Sequence, residues 1–237
     1  MTFLASLVTQ ASLTLPEHAR EALYCRGVTD SQASLYQVGY LNGLPDLDCP
    51  PDFLKWSQDG AKLRDVLVFP VTNVLGDVRG VQVRGVDRSG QGYTDYIPSL
   101  VEPAMFGLGQ AAKALWATGQ VWLVEGVYDL FPIQRHFEPT VATLTARVTK
   151  STVRLLARLV NRIWLGYDMD AAGRQACTRF QRTYGSAFQV RVVSYPRVPL
   201  IGSDKFIKDP GDLWEVWGDD RVGTFVRSQL SLSPFEE

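Results

Sequence analysis

From residue 121 onward the chain alternates short apolar runs with helix-length amphipathic stretches: strand 121–124, helix 129–136, strand 141–144, helix 151–160, strand 163–167, helix 172–184 and strand 190–195. Few folds accommodate that grammar. Continuous apolar runs such as Val121-Trp122-Leu123-Val124 need cover on both faces, and strand–helix–strand order brings successive strands parallel. The expected result is an α/β, Rossmann-like parallel sheet flanked by helices, with functional groups at the carboxyl ends of the strands. A soft boundary falls near residue 119.

Acidic residues sit where that architecture puts functional groups. Ile163-Trp164-Leu165-Gly166 runs into Tyr167-Asp168-Met169-Asp170-Ala171-Ala172-Gly173-Arg174. Alternate strand residues point the same way, so Asp168 and Asp170 could converge. Two carboxylates held that close repel unless a cation such as Mg²⁺ lies between them; the competing reading is a solvated pair that caps the next helix. A second cluster, Glu125-Gly126-Val127-Tyr128-Asp129, follows the strand at 121–124. A third, Lys208-Asp209-Pro210-Gly211-Asp212, lies beyond the last strand and reads as a Pro-Gly turn. Each alone is an ordinary cap or turn; their recurrence at strand ends is harder to dismiss.

Ahead of the boundary the pattern differs. A helix is expected from Pro16 to Leu23, and a second over 31–37, capped by Thr29 or Asp30 and ended by Gly39. Three prolines between 41 and 60 predict a loop with at most one helical turn near 53–56. Strands follow at 66–71 and 78–86, with Gln82 and Arg84 on an exposed polar face, then a turn at Ser89-Gly90-Gln91-Gly92. A helix over 110–117 leads to the boundary. Arg26 is either a last-turn arginine complementing its helix dipole or a phosphate ligand; Arg84 is either solvated or phosphate-binding.

With 46% apolar residues among 237, the chain can fill a core. Its net charge of -1 does not advertise a polyanion binder, yet 147–191 holds nine basic residues against Asp168 and Asp170 alone. Three scattered cysteines and two histidines exclude a zinc ribbon within this chain and fit a reducing interior. No run approaches the roughly 20 apolar residues a membrane span needs, so a cytoplasmic protein is expected.

The three clusters together resemble the TOPRIM fold shared by DnaG-type primases, topoisomerases, recombination-mediator proteins and certain nucleases, over roughly 122–214. Glu-Gly-x-x-Asp, Asp-x-Asp-x-Ala-Gly-Arg and Lys-Asp-Pro-x-Asp are the bacterial and phage primase versions. Upstream, Arg26-Gly27-Val28, Phe69-Pro70-Val71 and Gly80-Val81-Gln82-Val83-Arg84 resemble the Arg-Gly-Ile, Phe-Pro-Ile and Gly-Phe-x-x-Arg motifs of DnaG-type catalytic cores. Tyr96-Ile97-Pro98-Ser99 and Phe106-Gly107-Leu108 resemble two further segments of those cores. Asp95 stands where those primases carry lysine, Thr145 where they carry glycine, and Gly211 where many have an additional acid.

The resemblance implies an α+β primase amino-terminal subdomain over 1–118, a TOPRIM catalytic domain over 119–218 and a helix or tail over 219–237. It implies a DNA primase that makes RNA primers from ribonucleoside triphosphates on single-stranded DNA, with Mg²⁺ or Mn²⁺. Asp168, Asp170 and Asp209 would be metal ligands, with Asp129 and Asp212 supporting, and Glu125 a ligand or the base for the primer hydroxyl. Arg26, Arg84, Arg174 and Lys208 would contact nucleotide or template. A replicative helicase and a separate template-recognition module are expected partners. A core lacking those accessory domains suggests a phage or mobile-element origin and a bacterial host cytoplasm. The rivals are a TOPRIM nuclease and a non-catalytic recombination-mediator-like DNA-binding module.

Overall fold

The computed structural model describes residues 2–13, 15–87, 94–98, 103–145, 148–200, 202 and 206–231. They belong to two compact units, Met1–Gln110 and Ala111–Glu237. The division falls inside α5 (Leu108–Thr118), ahead of the boundary read near 119. The turn expected at Ser89-Gly90-Gln91-Gly92 lies outside the described residues, as do Ser99 and Arg147.

The first unit contains helices α1 (Phe3–Ser12), α2 (Glu17–Tyr24), α3 (Asp30–Leu35) and α4 (Pro51–Ser57). Its strands are β1 (Gly39–Leu41), β2 (Val66–Thr72), β3 (Val78–Gly85), β4 (Thr94–Tyr96) and β5 (Met105–Phe106). All pairings are antiparallel: β2 with β1, β3 and β5, and β3 with β4. Every residue of β2 is buried, as its unbroken apolar run requires. Phe53 anchors an aromatic cluster with Phe3, Trp56 and Tyr96, ring centroids 4.8, 5.4 and 5.1 Å away.

Several sequence expectations change here. Thr29 caps α3 by a reciprocal box with Gln32, but the helix stops at Leu35; Gln37, at φ 51°, turns the chain, and Gly39 opens β1. The proline-rich stretch holds α4, which is longer than the single turn expected, because Pro51 occupies a first-turn position where its missing N–H costs nothing. Gln82, expected on an exposed face, is buried. Its amide nitrogen donates to Asp95 Oδ1 at 2.7 Å and its oxygen accepts from Arg84 Nε at 3.3 Å, which satisfies the buried amide.

The second unit holds the strand–helix alternation. Its strands are β6 (Gln120–Val124), β7 (Thr140–Ala142), β8 (Arg162–Gly166) and β9 (Gln189–Val192); the helices are α6 (Val127–Gln134), α7 (Lys150–Leu159), α8 (Ala171–Tyr184) and α9 (Pro210–Ser231). All strands are parallel, in the order β7-β6-β8-β9. Trp122 of β6 sits opposite Trp164 of β8, and the Phe137 ring lies 6.1 and 5.5 Å from the two. Burying such rings contributes roughly 2–3 kcal/mol each, and it fixes the register that brings the ends of β6 and β8 level. α9 is broken at Gly218 (φ 69°, ψ 178°).

Candidate active site

The strand register sets the site. Val124 pairs with Gly166, so the next residues of β6 and β8 leave the sheet side by side, at its carboxyl edge. Gly166 has no room for a side chain: a Cβ there would lie 2.3 Å from Trp122 Nε1 and 2.7 Å from the Tyr195 hydroxyl, which donates to the Gly166 carbonyl at 2.8 Å.

Asp168 and Asp170 lie just beyond β8 and have different hydrogen-bond partners, while both act electrostatically on Glu125. β8 ends at Gly166. Asp170 is exposed and caps α8, its Oδ1 accepting from the Gly173 N–H at 2.8 Å, as in the capping alternative. Asp168 is held between backbone and cation. A Cβ on Gly173 would stand 2.0 Å from the Asp168 carbonyl oxygen, so the turn wraps onto the helix start only because that residue is glycine. Arg174 Nη1 donates back to the Met169 carbonyl and braces the same turn.

The third cluster is the start of a helix rather than a free turn. Asp209 Oδ1 accepts from the Asp212 N–H at 2.7 Å, Pro210 begins α9, and Asp212 Oδ2 accepts from the Lys208 N–H at 3.1 Å. The Lys208 carbonyl accepts from the Met169 N–H at 2.7 Å, tying this segment to the Asp168 turn. Asp129, only 9% exposed, joins the first cluster to the third: its Oδ2 accepts from Gly126 N–H at 2.9 Å and its Oδ1 from Gly211 N–H at 3.3 Å. A Cβ on Gly211 would lie 3.3 Å from Asp209 Oδ1 and 3.4 Å from Asp129 Oδ1, at the near edge of ordinary contact.

Lys208 closes the arrangement, its Nζ 2.7 Å from Asp168 Oδ2 and 2.7 Å from Asp209 Oδ2. Burial opposes its charge, but Asp209 and Asp168 outweigh burial and hold the ammonium above the usual lysine range. The carboxyls are shifted upward. Burial and then Asp209 and Asp168 push Asp129 well up; burial and then Asp168 and Asp170 raise Glu125. Asp168 is raised by burial, then by Asp209 and more weakly Asp170, against the opposing pull of Lys208; Asp212 is raised by burial and Asp209. The site therefore carries more negative charge than one ammonium neutralises. Among the described residues, no three His, Cys, Asp or Glu side chains stand ready to share an ion as placed.

Glu125, Asp129, Asp168, Asp170, Lys208, Asp209 and Asp212 are thus gathered at one sheet edge, with Arg174 in the first turn of α8. Arg26 and Arg84 belong to the first unit, Arg26 just after α2 and Arg84 on β3 beside Gln82. Residue-by-residue reasoning missed Gly173, Met169 and Tyr195 as parts of this site. Gly173 carried a signal: glycine in a helix's first turn sacrifices about 1 kcal/mol of propensity and so marks a close approach. Met169 and Tyr195 act through a backbone amide and a buried hydroxyl, and their residue types carry no such signal.

Residues 122–207 match the Toprim-like family. The DNA primase of Deinococcus radiodurans is 26% identical over 87% of this chain, but the match spans only 38% of that protein's length. Among solved structures, the DnaG catalytic core superposes with a TM-score of 0.75 at 20% identity, covering 95% of this chain and 78% of that one. A DnaG primase catalytic domain bound to single-stranded DNA gives the same TM-score and identity, covering 95% of this chain and 79% of its own. The chain therefore carries a Toprim-like domain and has the fold of a DnaG-type primase catalytic core.

Proposed function

We propose that this chain is the RNA-polymerase core of a DNA primase, a nucleotidyltransferase that joins ribonucleotides on single-stranded DNA during replication. The observation that carries the reading is the gathering of acids from three chain segments around a bound ammonium at the carboxyl edge of the parallel sheet. Oxygen-only donors suit a hard divalent ion, Mg²⁺ or Mn²⁺, and the surplus negative charge is what such an ion relieves. Asp168, Asp170 and Asp209 would hold it, supported by Asp129 and Asp212. When bound, such ions neutralise triphosphate oxygens and stabilise the attacking hydroxyl and the pyrophosphate leaving group.

The protein's own groups do the rest. Glu125, whose proton affinity is raised by burial and by Asp168, is suited when ionised to take the primer hydroxyl's proton or to serve as a further ligand. Asp129 braces the Gly126 and Gly211 amides and the Met169 N–H donates to the Lys208 carbonyl, so the three clusters keep their spacing while substrate binds. Lys208 and Arg174 bring positive charge to phosphate, and the forked guanidiniums of Arg26 and Arg84 fit phosphate oxygens of nucleotide or template. The single-stranded DNA held by the DnaG catalytic domain supports the same template here. Because the chain spans about a third of its curated relatives, a helicase and a template-recognition module are assigned to other polypeptide segments or partners. Template DNA and ribonucleoside triphosphates meet in the cytoplasm, so this reading assigns the chain there; among the described residues no helix is long and apolar enough to cross a membrane.

The test is synthesis on a single-stranded DNA template with labelled ribonucleoside triphosphates and Mg²⁺ or Mn²⁺. Template-dependent RNA that disappears in Asp168→Ala is expected. Nicked DNA in place of RNA would make the chain a nuclease; no product, with DNA binding indifferent to Asp168→Ala, would make it a binding module.

A further inference from the structure

The backbone of Lys208 is pinned on both sides, whereas its side chain is held at its tip by two ion pairs. Its N–H donates to Asp212 and its carbonyl accepts from Met169, so the Cα is fixed between the second and third acidic clusters. The side chain is 48% exposed and reaches inward only to place its ammonium between Asp168 and Asp209, whose own side chains are 18% and 13% exposed. Glu125 and Asp212 also feel this ammonium. One positive charge thus serves a site built from at least four acids, and a lysine stem can rotate outward without disturbing any backbone hydrogen bond.

We infer that Lys208 is an internal placeholder cation: it occupies the space between Asp168 and Asp209 until a divalent ion displaces it, and the displaced ammonium then becomes available to substrate phosphate. The inference rests on the metal-site reading proposed above. A tethered ammonium competes with free metal at the effective concentration its tether sets, so it raises the metal concentration needed to load the site. It also neutralises the acids while no ion is present. Loading the ion and freeing a phosphate-binding lysine become one event, which orders metal ahead of nucleotide.

Two measurements on the full chain decide it, and neither depends on RNA synthesis. Mn²⁺ binding, read by titration calorimetry, is expected to tighten at least tenfold in Lys208→Met and to stay near wild type in Lys208→Arg, which keeps a displaceable charge. Amine acetylation of wild type, read by peptide mass spectrometry, is expected to modify Lys208 several-fold faster once Mn²⁺ is saturating. Lys208→Met binding Mn²⁺ within twofold of wild type, or more weakly, would overturn the inference. Unchanged or slower acetylation of Lys208 with Mn²⁺ would do so as well, because the lysine would then stay in place. Absence of Mn²⁺ binding in every form removes the competitor and overturns it too. Tightening and faster acetylation without any RNA product would leave the placeholder standing and sink the primase reading instead.

Discussion

Gly173 offers the sharpest test of how the site is built, because two physical effects predict opposite signs for Gly173→Ala. Helix propensity alone predicts a gain of about 1 kcal/mol, since alanine replaces glycine inside α8. Geometry predicts a loss. The added Cβ would stand 2.0 Å from the Asp168 carbonyl oxygen and 2.9 Å from its carbon, backbone atoms with no rotamer through which to escape. Restoring contact requires a displacement on the order of 1 Å. Overpacking of this kind costs roughly 1–3 kcal/mol, and weakening the Asp170 cap that bonds Gly173 N–H adds about 1 kcal/mol. The net expectation is a loss of about 2 kcal/mol, which for a chain of this size lowers the melting temperature by roughly 4–8 °C. A shift of that size at Asp168 would reduce synthesis by about a hundredfold. Calorimetry and the template assay measure the two, with Ala172→Gly as the control. That change, at an exposed neighbour, should cost up to about 1 kcal/mol by propensity yet keep full activity. A Gly173→Ala protein that melts no lower than wild type and remains active would refute the claim that the Asp168 turn is built around the missing side chain.

Other outcomes follow from the same geometry. Asp170→Asn should keep the α8 cap and the melting temperature but lose metal-dependent synthesis, whereas Asp170→Ala should also lose about 1 kcal/mol; thermal melts paired with the template assay separate the two. Gly166→Ala drives a Cβ into the buried Trp122 and Tyr195 and should destabilise by roughly 1–3 kcal/mol, read from denaturant unfolding. Asp129, Asp168, Glu125 and Asp212 are all raised above their unfolded values, so the folded state binds their protons more tightly. Their contribution is fully present below about pH 4 and is lost as pH rises through the raised values. Melts in chelator should therefore show stability falling with pH through that window, less so in Asp129→Asn, and Mn²⁺ should restore it. Lys208, also raised, contributes through neutral pH and loses its share only above the ordinary lysine range.

What could be read without coordinates was what local pattern dictates. The apolar runs at 121–124 and 163–167 announced parallel strands because such strands are buried on both faces; of Thr29 and Asp30, the two caps the sequence offered for the next helix, the structure uses Thr29, in a reciprocal box with Gln32. Failures came where one residue type serves two structures. Pro210-Gly211 reads as a turn and Pro50-Pro51 as loop, but a proline in a helix's first turn gives up no hydrogen bond, so both sites begin helices. Strand alternation also does not reach Asp168 and Asp170, because β8 ends at Gly166; the chain turns there, and Asp170 additionally caps α8, the other reading the sequence allowed. Gln82 looked solvent-facing because alternation cannot see that Asp95 of β4 supplies its partner. The same limit hid the state of Lys208. Beside Asp209 it reads as one more basic residue near phosphate, but its second partner, Asp168, is forty positions away and is brought to it by the Met169–Lys208 backbone bond. A charge's role depends on which opposite charges the fold delivers to it, so the acids of the three clusters stand out in the sequence while the pairing of Lys208 with two of them does not.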